Sequence, residues 1–186
     1  MMRIITGKAR GVRLKTLEGE KTRPTAERVK EAVFSMIQFE IEGRTVLDLF
    51  AGSGQMGLEA ISRGAASAVL VDNAKDAVRI IEENTQKTQL FSQCRVVHSD
   101  FRDFLRRNRN QRFDLIFLDP PYASQFYCPA LEGLLEADML KKTSLVVCES
   151  DTEEIFGGNT ELQKRFLVQK ISKYSKTVVT VLTPVL

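Results

Sequence analysis

The chain has 186 residues, 43% of them hydrophobic and 27% charged, a balance that suits one globular domain and excludes a disordered or fibrous chain. Net charge is only +3, yet residues 1–30 hold nine Lys/Arg against three Glu, which leaves residues 31–186 at −3; a basic arm on a weakly acidic body points to a polyanionic partner or to a solvated tail. No run of 18 apolar residues would span a membrane, and the first eight residues turn basic and polar too early for a secretion signal.

Residues 3–16 read as two short strands around Gly7 to Gly11. A helix follows from Pro24, with Thr25 as N-cap and Glu27 in the first turn. Its apolar face is Val29, Val33, Met36 and Ile37, at i, i+4, i+7 and i+8, and it is expected to end near Gly43. The pattern then alternates. Thr45–Phe50 is a strand, followed by a glycine turn and a helix over 55–63. Ala68–Asp72 is a strand before a helix over 75–88, and Arg95–His98 a strand before a helix bearing arginines. On that helix Arg102, Arg106 and Arg109 share a face opposite Phe101, Phe104 and Leu105, as a solvated surface would. Leu115–Leu118 is a strand that runs into Asp119-Pro120-Pro121-Tyr122. A helix over 128–138, a strand over Leu145–Cys148, and a hairpin of Phe166–Ile171 with Thr177–Leu182 complete the chain. Apolar strands alternating with helices mean a mostly parallel α/β sheet covered on both faces, with an antiparallel C-terminal hairpin. Ligands bind such sheets beyond the C-terminal strand ends, near the switch point. Asp48 to Gly54, Asp72, Asp100 and Asp119 to Tyr122 all end or follow strands.

Gly52-Ser53-Gly54-Gln55-Met56-Gly57 matches G-x-G-x-x-G between a strand and a helix. Such a turn lets the backbone approach a ligand and offers helix N–H groups to an anion. A dinucleotide pyrophosphate or the carboxylate of S-adenosylmethionine would each fit. Asp48, at the strand end, would repel a pyrophosphate but suits a ligand bearing an ammonium and a sulfonium. Asp72, at the end of the next strand, could accept from ribose hydroxyls of either.

In Asp119-Pro120-Pro121-Tyr122 the two prolines fix φ and remove two backbone donors. A carboxylate beside a free carbonyl makes a pair of acceptors, which suits a planar amino group with two donors. Holding both N–H bonds turns the nitrogen lone pair toward a methyl donor, an orienting effect worth up to about 7–11 kcal/mol. Tyr122 offers a ring for base stacking, about 1–3 kcal/mol. No strong general base is needed, because alkylation itself makes the nitrogen proton acidic. Three cysteines, Cys94, Cys128 and Cys148, and the single His98 supply neither a disulfide framework nor a metal set, so a reducing cytoplasmic setting without metal is expected, and His98 is read as structural.

Asp48-Leu49-Phe50-Ala51-Gly52-Ser53-Gly54 together with Asp119-Pro120-Pro121-Tyr122 resembles the class I S-adenosylmethionine-dependent amino-methyltransferases. Arg3-Ile4-Ile5, Gly7, Arg10-Gly11, Leu14, Arg23-Pro24-Thr25 and Val29-Lys30-Glu31-Ala32-Val33-Phe34 narrow the resemblance to the RsmD family, which methylates the N2 amino group of a guanine in small-subunit (16S) ribosomal RNA. It runs from Arg3 to about Thr180. The resemblance implies a Rossmann-like methyltransferase domain over 44–186 and a basic RNA-contacting extension over 1–43. It implies a cofactor site of Asp48, Phe50, Ala51, Gly52, Ser53, Gly54, Asp72, Asn73, Asp100 and Phe101, with Asp48 near the cofactor's amino group, Asp72 on the ribose, and Asp100 and Phe101 beside the adenine. Asp119, Pro120, Pro121 and Tyr122 would hold the target guanine, and Lys8, Arg10, Arg23, Thr25 and Arg28 would contact RNA. A monomer acting on ribosomal RNA in an assembled or assembling subunit is expected. Ser175 after Tyr174 departs from the family's usual glycine and changes the expected loop shape. Three other readings use the same features: an adenine-N6 methyltransferase of DNA or RNA, a nicotinamide-dependent oxidoreductase, and a ribosome-assembly factor that binds RNA without turnover.

Overall fold

Among the described residues, seven runs rich in Val, Ile, Leu and Phe pair into one sheet. The strands are β1 (Thr45–Asp48), β2 (Ser67–Asp72), β3 (Cys94–His98), β4 (Phe113–Leu118), β5 (Leu140–Ser150), β6 (Phe166–Tyr174) and β7 (Thr177–Pro184). The helices are α1 (Pro24–Met36), α2 (Gln55–Ser62), α3 (Lys75–Lys87), α4 (Phe101–Arg107), α5 (Tyr127–Glu136) and α6 (Thr160–Gln163). The computed structural model describes residues 2–17, 24–121 and 125–186, and the side chains of α1 from Glu27 onward.

The strand order is β3-β2-β1-β4-β5-β7-β6. β3, β2, β1, β4 and β5 run parallel, while β7 is antiparallel to both β5 and β6. The order reverses at β1, whose neighbours are β2 and β4, so the ends of those strands surround a crevice. One sheet face is covered by Val33 and Phe34 of α1, Leu58 and Ile61 of α2 and Ile81 of α3; the other by Phe104 of α4, Leu131 and Leu134 of α5 and Leu162 of α6. The helices lay buried apolar residues on the sheet, and α2, buried from Met56 to Ser62, is covered on its far side as well, so two layers of helix sandwich the sheet. This is the mostly parallel architecture with an antiparallel C-terminal pair that the alternating pattern predicts.

Several boundaries differ from the sequence reading. The two N-terminal strands reduce to a single antiparallel bridge, Arg3 to Arg13. Ile4 and Leu14 still bond across it, but the pairing stops at Lys15, whose backbone turns to the side chain of Asn84 instead. Thr25 is not the N-cap of α1. It is the second helical residue, with Pro24 at the first position, where its missing N–H is no loss. α1 ends at Met36, well before Gly43, and a 3₁₀ turn over Gln38–Glu40 follows. β1 ends at Asp48 rather than Phe50, because the chain then bends toward the glycine turn. β5 starts five residues earlier than expected: Ser144 Oγ donates to Phe113 O and accepts from Lys141 N, which carries the polar Lys141–Ser144 stretch through a register shift.

The N-terminal segment shares its core with the sheet, since Ile4, Ala9 and Leu14 pack with Val33, Leu58 and Ile61. A buried carboxylate pins it. Glu59 of α2, 0% exposed, accepts from Ile5 N at 2.7 Å, Thr6 N at 3.0 Å and Arg63 Nε at 2.8 Å. Lys30 Nζ lies 3.6 Å from Glu59 and donates to Arg3 O at 2.6 Å. Burial pulls the Lys30 pKa down, opposed by Glu59.

Candidate active site

The turn after β1 is built to leave the crevice open. Gly54 takes φ +78° at the start of α2, a left-handed conformation that favours glycine, and a Cβ there would stand 3.2 Å from Ile81 Cγ2. Gly57 is needed for space: its Cβ would lie 2.1 Å from Leu70 Cδ2, so α2 rests directly on β2. These contacts hold α2 with its N-terminus at the ends of β1 and β2.

Two carboxylates flank the turn and differ in environment. Asp48 is 2% exposed, and its Oδ2 accepts from Gly57 N at 3.1 Å. Burial pushes its pKa up to about 7, the Gly57 bond pulls it down, and the charge of Asp72 pushes it up further. Asp72 is half-buried and spans the two loops: Oδ2 accepts from Gly52 N at 2.8 Å and Oδ1 from Ala74 N at 2.9 Å. An ionised carboxylate has about four acceptor sites, so each oxygen retains capacity toward hydroxyl donors. Asp100 caps α4 by accepting from Arg102 N at 2.9 Å, and Ser99 N donates to Asp72 O at 2.9 Å, tying the end of β3 to β2.

An aromatic wall stands opposite. The ring centroids of Phe50 and Phe101 are 5.1 Å apart, those of Phe101 and Phe126 5.2 Å, and those of Phe50 and Phe126 6.3 Å. The Arg102 guanidinium lies over Phe101 at 4.6 Å and over Phe126 at 5.1 Å. At the end of β4, Asp119 is exposed, Pro120 buried and Pro121 exposed.

These parts enclose one cavity of about 450 Å³, within the usual range of roughly 300–1,000 Å³ for small-molecule sites. Of the residues expected to bind cofactor or base, Asp48, Phe50, Ala51, Gly52, Ser53, Asp72, Asn73, Asp100, Phe101, Asp119, Pro120 and Pro121 line it. Gly54 does not, and a Cβ there would meet Ile81 and Leu58. Tyr122 and Arg23 lie outside the described residues, as does the side chain of Thr25. Sequence reasoning passed over Leu17, Gln55, Met56, Ser99 and Phe126, which also line the cavity. Phe126 carried a readable signal as an aromatic four residues after Tyr122; Leu17 carried none. His98 is exposed, its Nε2 at 3.1 Å from Asn73 O, and it does not line the cavity.

The expected RNA contacts lie elsewhere. Arg28 is exposed on α1, and Lys8 and Arg10 are exposed at the tip of the N-terminal loop. Lys8 N and Ala9 N bond Ser62 O and Ser62 Oγ, at the end of α2 remote from the glycine turn. At about 1.5 Å per residue that is roughly 12 Å from the crevice. Among the described residues no cluster of His, Cys, Asp and Glu could hold a metal ion, and no helix is long and apolar enough to cross a membrane. Burial raises the pKa of all three thiols, Cys94 to about 11.

A family model described as conserved hypothetical protein 95 matches residues 2–182. The ribosomal RNA small subunit methyltransferase D of Haemophilus influenzae is 36% identical over 155 residues, covering 82% of this chain and 80% of that protein. The protein of the same name from Escherichia coli is 33% identical over 152 residues, 82% and 76% of the two chains. Among solved structures, yhhF of Escherichia coli superposes with a TM-score of 0.85 at 27% identity, over 98% of this chain and 97% of that one. The fold is that of the class I methyltransferases.

Proposed function

Because the chain belongs to the conserved hypothetical protein 95 (RsmD) family, we propose that it methylates the exocyclic N2 amino group of a guanine in small-subunit ribosomal RNA, with S-adenosylmethionine as methyl donor. The observation that carries this reading is the meeting, in one cavity, of the acidic glycine turn after β1 and the Asp119-Pro120-Pro121 turn after β4. Relatives that share most of the chain are ribosomal RNA methyltransferases by name.

The residues fit the cofactor. Asp48 sits where a ligand ammonium would recover the ionisation that burial suppresses, and Asp72 has acceptor capacity for hydroxyls. The Phe50, Phe101 and Phe126 rings form a wall suited to a purine. A pyrophosphate would meet two carboxylates instead, which disfavours a dinucleotide. When bound, S-adenosylmethionine supplies a methyl group activated by its sulfonium. The chain's own contribution is orientation. Asp119 and the carbonyl of Pro120 would accept the two N–H bonds of the amino group, aiming the nitrogen lone pair along the axis of transfer. Asp119, being exposed, can pass the released proton to water. Tyr122 would stack on the guanine. Lys8, Arg10 and Arg28 would hold RNA phosphates away from the cavity, so that backbone contacts position and the pocket specifies. The protein would act as a cytoplasmic monomer, without metal, on RNA in an assembled or assembling subunit.

The test is methyl transfer from labelled S-adenosylmethionine to small ribosomal subunits lacking the modification, to their naked RNA, to transfer RNA and to duplex DNA, with Asp119→Ala as control. N2-methylguanosine at one ribosomal RNA position, absent with the variant, supports the reading. N6-methyladenine in any substrate overturns the choice of base, and cofactor binding without label in any substrate overturns turnover on these RNAs.

A further inference from the structure

The N-terminal segment reaches the cofactor turn through one buried amide. Asn84 of α3 is 0% exposed. Its Oδ1 accepts from Lys15 N at 2.8 Å, and its Nδ2 donates to Lys15 O at 3.0 Å and to Ser53 O at 2.9 Å. It therefore pairs with Lys15 as a neighbouring strand would, at the point where the Arg3–Arg13 ladder stops, while holding the carbonyl in the middle of the glycine turn. The peptide it grips is fixed at both ends, because Gly54 N donates to Ala51 O at 2.6 Å. Ser53 Oγ also donates to Met2 Sδ at 3.1 Å. Two residues beyond Lys15, Leu17 lines the same cavity as Asp48, Gly52 and Ser53.

From this geometry we infer that Asn84 is a positioning residue that makes residues 15–17 a wall of the cofactor site, so that Leu17 contacts the bound cofactor and the N-terminal segment and the glycine turn move as one unit. The inference rests on the cofactor reading above. It changes what the N-terminal segment is for: part of it completes the small-molecule site. Asn84 has no direct line to the cavity and does not line it; its effect runs through Ser53 and Leu17. The near-isosteric Asn84→Asp keeps the acceptor for Lys15 N, loses both donated bonds, and sets its second carboxylate oxygen against the carbonyls of Lys15 and Ser53.

The experiment measures S-adenosylhomocysteine affinity by calorimetry for the full chain and for Asn84→Asp, Leu17→Ala and the double variant, with the melting temperature of each as the check on folding. Wild-type binding is required. Its absence overturns the cofactor reading, and this inference with it. Given wild-type binding, each single variant is expected to weaken affinity about tenfold, the scale of one or two lost contacts. The double variant should be little weaker than Asn84→Asp alone, because the two act through one wall. Additive losses would reduce Asn84 to general scaffolding and overturn its positioning role. Unchanged affinity in Leu17→Ala, which leaves the buried amide intact, overturns the wall even if Asn84→Asp fails to fold.

Discussion

Replacing Asp48 by Asn separates what the buried carboxyl costs the fold from what it does for the ligand. Burial raises its pKa from 3.8 to about 7, so between those values the folded chain holds a proton that the unfolded chain has released. Stability therefore falls as pH rises from about 4 to about 7 and is flat above. At about 1.4 kcal/mol per unit, the full shift amounts to about 4 kcal/mol by pH 8, of which the interval from pH 5 to pH 7 carries about 2 kcal/mol. In Asp48→Asn the side-chain oxygen can still accept from Gly57 N, while the new amide donors lack acceptors, at a cost of about 1–3 kcal/mol. The variant is therefore expected to be more stable than wild type by about 1–3 kcal/mol at pH 8, and to lose that advantage at pH 5. Urea unfolding without cofactor at the two pH values reads this directly. Taking the difference between the proteins removes Glu149, whose buried carboxyl is also raised to about 7. Binding should run the other way. Wild-type affinity for S-adenosylhomocysteine should rise from pH 6 to pH 8, as Asp48 ionises to meet the ammonium, and the variant should bind more weakly with a flat profile. A stability difference between the two proteins that stays the same at pH 5 and pH 8 would refute the reasoning.

Asp119→Ala should lower kcat by about 10²–10³ while leaving S-adenosylhomocysteine affinity within twofold; single-turnover rates and calorimetry check it, and an equal loss in both would move Asp119 from the base to the cofactor. Glu59→Ala leaves Lys30 buried without its carboxylate and strips the acceptor from Ile5 N and Thr6 N, so a loss of about 3–5 kcal/mol in urea unfolding is expected. The double reversal Lys8→Glu and Arg10→Glu should weaken RNA binding and reduce the slope of log affinity against log salt by about 2; unchanged affinity at low salt would exclude the loop tip from the RNA interface.

The parts of the site that were legible in the sequence are those whose chemistry is local. The glycine turn and the proline turn announce themselves because few residue types tolerate those backbones, and each follows an apolar run short enough to be a strand. Leu17 and Asn84 announce nothing: one is an ordinary leucine, the other an ordinary asparagine in a helix, and only the fold brings them to Ser53. The basic arm was legible as charge but not as position, since the seating of Lys8 on Ser62 depends on Glu59 and Ser62 of α2. The polar Lys141–Ser144 run hid the first residues of β5, because a serine side chain there replaces a ladder bond. The arginine face of α4 looked like plain surface, yet Arg102 lies on the aromatic wall of the cavity.

The strand order also sets a sequence of events during synthesis. β7 lies between β5 and β6, so β6 leaves the ribosome before the strand that joins it to the sheet. Until residues 177–184 are available, β5 presents an open edge and β6 has no neighbour, with Leu167 and Ile171 exposed along it even in the finished protein. The strands around the crevice, β1 to β4, are complete by then and need neither β6 nor β7 as a neighbour. A chain that stops short of Thr177 would leave the outer edge of β5 and both edges of β6 unpaired, a form prone to edge-to-edge association.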